Sequence, residues 1–192
     1  NISHFVYYSA GNAYAIKNKP VVEEDSLYPS GKAVIYLSSK ISGEMLVNYF
    51  SHVWLLPATI LRISTPYGPD NSSFINSMLV SLGNNVPVNL HKGGCHSADF
   101  VYVDDIINAT LKSIDTISTG IFNIGSGNHI TLLEITDMVV NILKADKDLI
   151  NVMPLSSCES IERYPLLDCL KAHRQWGYSP MSIKDGLQKM IQ

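Results

Sequence analysis

Strand-like and helix-like segments alternate along this chain, and that alternation restricts the fold more than any other feature of the sequence. "HFVYYS" (His4–Ser9) is a short run of β-forming residues. After a polar loop with Gly and Pro, residues 35–53 show helical periodicity, with Leu37, Ile41, Met45 (or Leu46) and Tyr49 on one side. "PATILRIS" reads as the next strand, and a helix over Phe74–Leu82 follows, with N-cap candidates from Asp70 to Ser73. "VPVNL" and "ADFVYV" are further strands. A helix over Ile106–Ile114 follows, with Asp104 or Asp105 as its cap. "GIFNIGSG" is a strand that ends in glycines. Thr131–Glu134 has the form of a capping box, opening a helix to about Leu143, and "MSIKDGLQKMIQ" closes the chain as a short amphipathic helix. Strands separated by helices are joined by crossovers rather than hairpins, so the pattern argues for α/β with a parallel sheet.

Composition narrows the functional classes. The 192 residues are 46% apolar and 16% charged, with a formal net charge of −3, which suits one ordinary domain with a core. There is no basic excess to favour nucleic acid, and no apolar run long enough to span a bilayer. Three widely spaced cysteines, Cys95, Cys158 and Cys169, fit a reducing compartment better than a disulfide framework. Six histidines without ligand spacing give no metal site. The expected setting is cytoplasmic. The first residues already read as a strand with no lead-in, so the chain is expected to open in mid-fold.

Tyr36 and Lys40, in "YLSSK", are four residues apart on the first predicted helix and so share a face. A phenol is a weak acid–base group at its ordinary pKa near 10. A neighbouring ammonium favours the phenolate, as would a positively charged nicotinamide ring. The pair therefore has a chemical rationale as a base for a sugar or alcohol hydroxyl beside a hydride acceptor. In a chain with ten tyrosines, the same spacing also arises easily by chance.

Seven stretches in order and in register, "FVYYSAGNAYA", "EEDSLYP", "YLSSK", "LRISTPYGPD", "DFVYVDDI", "FNIGSG" and "WGYSP", resemble the later two-thirds of the extended short-chain dehydrogenase/reductase family, in its nucleotide-sugar epimerase/dehydratase branch. The resemblance implies a Rossmann-like parallel sheet with helices on both faces, incomplete at the N-terminus, plus a small C-terminal substrate-binding region. Residues 1–66 would be the C-terminal half of the dinucleotide-binding domain. Residues 67–192 would contribute a last Rossmann strand and the substrate-binding subdomain. The implied function is that of an NAD(P)-dependent oxidoreductase acting on a nucleotide sugar. Tyr36 and Lys40 would be the acid–base pair, and Ser9 would join them on the cofactor side. Tyr14, Thr65 and Arg163 would contact substrate. The implied partner is a second copy of the chain, forming a homodimer, or a missing N-terminal segment.

Several departures weigh against full activity. No Gly-rich phosphate loop with its downstream acidic residue occurs, and "GSG" at Gly125–Gly127 lacks that spacing. NAD or NADP binding by these residues alone is therefore expected to be poor. Ala10 stands where the family places Ser or Thr against the reacting hydroxyl, Thr65 where an Asn is common, and Ala98 where an arginine grips the diphosphate. These three favour an alternative: a decayed relative that binds a nucleotide sugar or a partner protein without turnover. Asp168 and Lys171 are read as structural, marking a helix start, and Arg62 as a buried hydrogen-bonder rather than a ligand.

Overall fold

A computed structural model describes residues 2–70, 73–155 and 164–191. Its first layer is a three-stranded parallel sheet of β1 (Phe5–Ala10), β2 (Ala58–Ile63) and β6 (Gly120–Ile124), in the order β1-β2-β6. The central strand "ATILRI" is buried along nearly its whole length because both of its faces are covered. Towards α1 (Val34–Val53) it packs Ala58 and Ile60 with Val47, Tyr7 and Ile121. Towards α3 (Val103–Asp115) and α5 (Leu170–Trp176) it packs Leu61 with Ile106, Ala109, Phe122 and Ala172. The expected doubly covered parallel sheet is therefore present.

The remaining elements form a second body on their own core. There β3 (Thr65–Tyr67) pairs in parallel with β5 (Ser97–Tyr102), which pairs antiparallel with β7 (His129–Thr131). A separate ladder joins β4 (Val88–Leu90) to β8 (Ile150–Val152). Helices α2 (Phe74–Gly83), α4 (Leu132–Leu143) and α6 (Ile183–Ile191) supply Ile75, Met78, Ile135, Val139 and Leu187 to a shared apolar cluster. No helix among the described residues is long and apolar enough to cross a membrane.

Local signals hold at several ends. Ser73 caps α2 by accepting from the Asn76 N–H, and Thr131 and Glu134 form the reciprocal capping box of α4. Asp168 accepts from Leu170 N at 2.8 Å at the start of α5. Two expectations need correction. Helix α3 begins at Val103, so Asp104 and Asp105 lie in its first turn and neither caps it. Asp105 instead accepts from Met181 N at 2.9 Å, and Asp104 pairs with Lys189, which ties α3 to the segment leading into α6 and to α6 itself.

The buried face of α1 also differs from the expected stripe. Leu37, Glu44 and Val47 are buried and Ile41 half-buried, whereas Met45, Leu46 and Tyr49 lie outside. A carboxylate at the centre of the inner arc hides that arc from a purely apolar reading. Gly43 permits the close seat of α1 on β1, since a Cβ there would come within 2.0 Å of the Tyr7 hydroxyl.

Candidate active site

The helix periodicity that placed Tyr36 and Lys40 on one face is realised in α1. Lys40 Nζ lies 5.6 Å from the centroid of the Tyr36 ring and 5.6 Å from that of Tyr7, within cation–π range of both. The ammonium donates to Tyr8 O at 2.9 Å, which ties it to the end of β1. Tyr36 is 55% exposed. A phenol and an amine thus stand together beside the edge strand β1, the phenol exposed and the amine half-buried.

Ser9 is the next residue along β1. It is buried, and its Oγ has no hydrogen-bond partner among the described residues. A buried hydroxyl without a partner costs free energy, and at 3% exposure Ser9 presents little surface to a ligand. Ala10, where a hydroxyl was sought, is buried against Leu37 and Ala13 and offers no polar atom.

The substrate-side expectations fare differently. Tyr14 is only 1% exposed, and its oxygen is committed on both sides. It donates to Asn123 Oδ1 at 2.7 Å and accepts from Arg62 Nη1 at 2.7 Å. The expectation that Tyr14 touches substrate is therefore corrected, because it presents no surface to a ligand. Burial raises its pKa to about 12, although the hydrogen bonds from Arg62 and to Asn123 pull the other way. Thr65 is half-buried at the start of β3, opposite Phe100 of β5. Arg163 lies outside the described residues. Ala98 is fully enclosed in the core of the second body, so no phosphate donor stands there.

Behind the Tyr36–Lys40 edge is a buried polar network. Arg62 of β2 forks onto Glu44 of α1, with Nε to Oε1 at 2.9 Å and Nη2 to Oε2 at 2.7 Å. Its Nη1 also donates to Glu23 O at 2.9 Å. Burial opposes the charge on Arg62, but the hydrogen bonds with Glu44 and Tyr14 outweigh it and raise its pKa. Glu23 accepts from Asn123 N at 2.8 Å, and the Asn123 amide donates to Val21 O and Asp168 O at 3.0 and 3.1 Å. The reading of Arg62 as a buried hydrogen-bonder holds, but its partners were not foreseen. A charged residue four positions beyond Lys40 and facing inward is the one signal that could have found Glu44.

A second carboxylate, Asp99, is fully buried in β5 and pins the glycine-rich turn. It accepts from Ser126 N at 2.6 Å, Ser126 Oγ at 2.7 Å, Gly127 N at 3.3 Å and Leu167 N at 3.4 Å. Burial still pushes its pKa up. The "GSG" turn is thus a structural joint between β6 and the segment carrying Leu167.

Comparison with known proteins bears on the family and the fold. A model of the family described as "NAD dependent epimerase/dehydratase" matches residues 1–125. UDP-glucuronate 4-epimerase 2 of Arabidopsis thaliana is 26% identical over 209 residues, which are 97% of this chain and 47% of that protein. Protein CapI of Staphylococcus aureus is 26% identical over 217 residues, 100% of this chain and 63% of that protein. Among solved structures, a UDP-glucose 4-epimerase of Thermotoga maritima with UDP-glucose superposes with a TM-score of 0.84 at 26% identity, covering 98% of this chain and 62% of that one. A Bacillus cereus UDP-glucuronic acid 4-epimerase in complex with UDP-glucuronic acid and NAD gives 0.83 at 26%, covering 98% and 60%. The chain thus spans less than two thirds of each of these proteins.

Proposed function

Since this chain belongs to the NAD dependent epimerase/dehydratase family, we propose that its protein is an NAD-dependent nucleotide-sugar epimerase or dehydratase whose proton chemistry runs through Tyr36 and Lys40. The observation that carries this reading is the placement of Lys40 Nζ beside both the Tyr36 ring and Tyr8 O at the open end of β1. One relative is named for a UDP-glucuronate epimerase and two solved neighbours are seen with UDP-sugars, one of them also with NAD, which supports a nucleotide-sugar substrate and an NAD-type cofactor.

The residues present fit the nicotinamide end of that cofactor. Tyr36 and Lys40 would meet its ribose, and Ser9, the residue after the one whose carbonyl receives Lys40, would join them on the cofactor side. When bound, the nicotinamide supplies a hydride acceptor. Tyr36 would take the proton from the sugar hydroxyl at its phenol oxygen and return it later. Lys40 would hold positive charge beside the Tyr36 phenolate that accepts this proton and keep its own position through Tyr8 O. The dinucleotide's phosphates have no Gly-rich loop in these 192 residues, so the isolated chain is expected to bind NAD weakly.

The exposed apolar side chains of α1, Met45, Leu46, Tyr49 and Phe50, support packing of this helix against another apolar surface. We assign that surface to a second copy of the protein or to its own chain beyond these residues.

The test is turnover by the full-length protein with NAD and a panel of nucleotide sugars. Tyr36→Phe is expected to lower kcat by about 10²–10⁴ while the nucleotide sugar still binds by calorimetry. Binding without turnover in the unaltered protein would favour the second reading, a sugar-nucleotide-binding relative that has lost catalysis. The apolar burial of Ala10 and Ala98 supports that reading. Micromolar NAD affinity of the 192-residue chain alone would overturn the account of the missing phosphate contacts.

A further inference from the structure

We infer that Glu44, held by Arg62, is a positioning residue for the Tyr36–Lys40 pair: it sets the rotation and tilt of α1 from the interface between the helix and the sheet. The inference rests on the proposed acid–base role of that pair. Tyr36, Lys40 and Glu44 follow one another at four-residue intervals and therefore run along one side of the helix. Eight residues of helix separate Glu44 from Tyr36, roughly 12 Å of rise. Over that lever, a tilt of about 5° moves Tyr36 by about 1 Å.

Apart from the Lys40 hydrogen bond to Tyr8 O, the other contacts that seat this stretch of helix are less directional. Leu37 and Val47 are held by apolar burial, which has little angular preference. Tyr7 touches the helix through a single long hydrogen bond to Lys40 O, 3.3 Å, and through its close approach to Gly43. The Arg62–Glu44 fork differs in kind. Two N–H donors, Nε and Nη2, meet the two carboxylate oxygens, and a bidentate fork of this kind constrains orientation as well as distance. Arg62 is itself held by Tyr14 and by Glu23 O, so the fork is anchored to the sheet and to the loop, not to the helix alone. Moreover, Arg62 stands opposite Ser9 in the β1–β2 register, next to the residue whose carbonyl receives Lys40. One strand pair thus receives both charged side chains of the helix.

A buried ion pair is a poor choice for stability alone, since apolar side chains of similar volume often do as well or better. That contrast provides the test. In the full-length protein, assayed with NAD and the nucleotide sugar it turns over, Glu44→Gln is expected to lower kcat by about 10–100-fold, the range that follows a misplacement of about 1 Å. The KM for the nucleotide sugar should stay within about threefold, and deuterium at the sugar carbon that yields hydride should slow kcat more than in the unaltered protein. Because Glu44→Gln leaves Arg62 unpaired and can impair folding, the double variant Glu44→Met/Arg62→Met serves as the second arm. It is expected to recover the denaturation midpoint while kcat stays low. A folded double variant with unaltered kcat overturns the inference, since the pair would then be packing only. If Tyr36→Phe keeps full turnover, the acid–base reading fails and this one falls with it. If Tyr36→Phe is inactive and both Glu44 variants run at full rate, only the positioning role falls.

Discussion

Lys40 and Glu44 are one turn apart on α1 and occupy opposite environments. The ammonium of Lys40 reaches the open edge of β1 and meets one carbonyl and two aromatic rings. The carboxylate of Glu44 is 3% exposed and shares a guanidinium that also serves Tyr14 and Glu23. The first arrangement leaves donors that a ligand can meet, and the second is closed to a ligand by burial. A site for chemistry needs the former, but it keeps its shape only if something like the latter stands close behind it.

The comparison breaks most sharply on stability. Glu44→Ala strands the buried charge of Arg62 and is expected to cost about 3–5 kcal/mol. Lys40→Ala removes a charge near solvent and should cost under about 1 kcal/mol. Urea unfolding monitored by circular dichroism checks both, through midpoints at unchanged slope. Equal losses would mean that the two side chains do not differ as their surroundings imply.

Sequence reading reached the open side of this pair and missed the closed one for a physical reason. Tyr36 and Lys40 are related by local helix geometry, which four-residue spacing states directly. Glu44, Arg62, Tyr14, Glu23 and Asn123 come together only when a loop, a helix and two strands are already placed, and no short pattern encodes that. The same division appears in the fold. The long helix α1 announces itself by its period and α4 by its capping box, while β7 and β8, each three residues long, are too short to show any period. Tyr14 shows the error that follows. An aromatic after a strand looks available for substrate until its hydroxyl is seen between Arg62 and Asn123. Resemblance found the family but could not show which matching residues face a ligand.

Alkaline titration probes the closed side more gently. The folded pKa of Tyr14 is raised to about 12, above the ordinary phenol value near 10. Below about pH 10 the phenol is protonated in both states, and its contribution to stability is fully present. Between about 10 and 12 the unfolded chain gives up the proton first, so stability falls as pH rises, by about 2–3 kcal/mol in all. Denaturation at pH 9 and pH 12 should show a loss smaller by about that amount in Tyr14→Phe than in the unaltered chain. Other buried tyrosines contribute equally to both and cancel.

The smallest expected effect sharpens the contrast between local and assembled interactions. At the start of α4, Thr131 Oγ1 accepts from Glu134 N at 3.2 Å, and Glu134 Oε2 accepts from Thr131 N at 2.8 Å. This cap involves two residues three apart, and both are partly open to water. Thr131→Ala should therefore cost only about 1 kcal/mol at neutral pH. The Thr131 backbone N–H, and then its hydroxyl, hold the Glu134 carboxyl below the usual carboxylate range. A lowered folded pKa adds stability above the unfolded value near 4.3 and loses it as pH falls through the folded one. The Thr131→Ala penalty should accordingly shrink between pH 7 and pH 3, because protonation of Glu134 weakens the hydroxyl's share of the cap in the unaltered chain. A penalty that stays constant over that range would mean that the hydroxyl acts through the Glu134 N–H alone and not through its carboxylate.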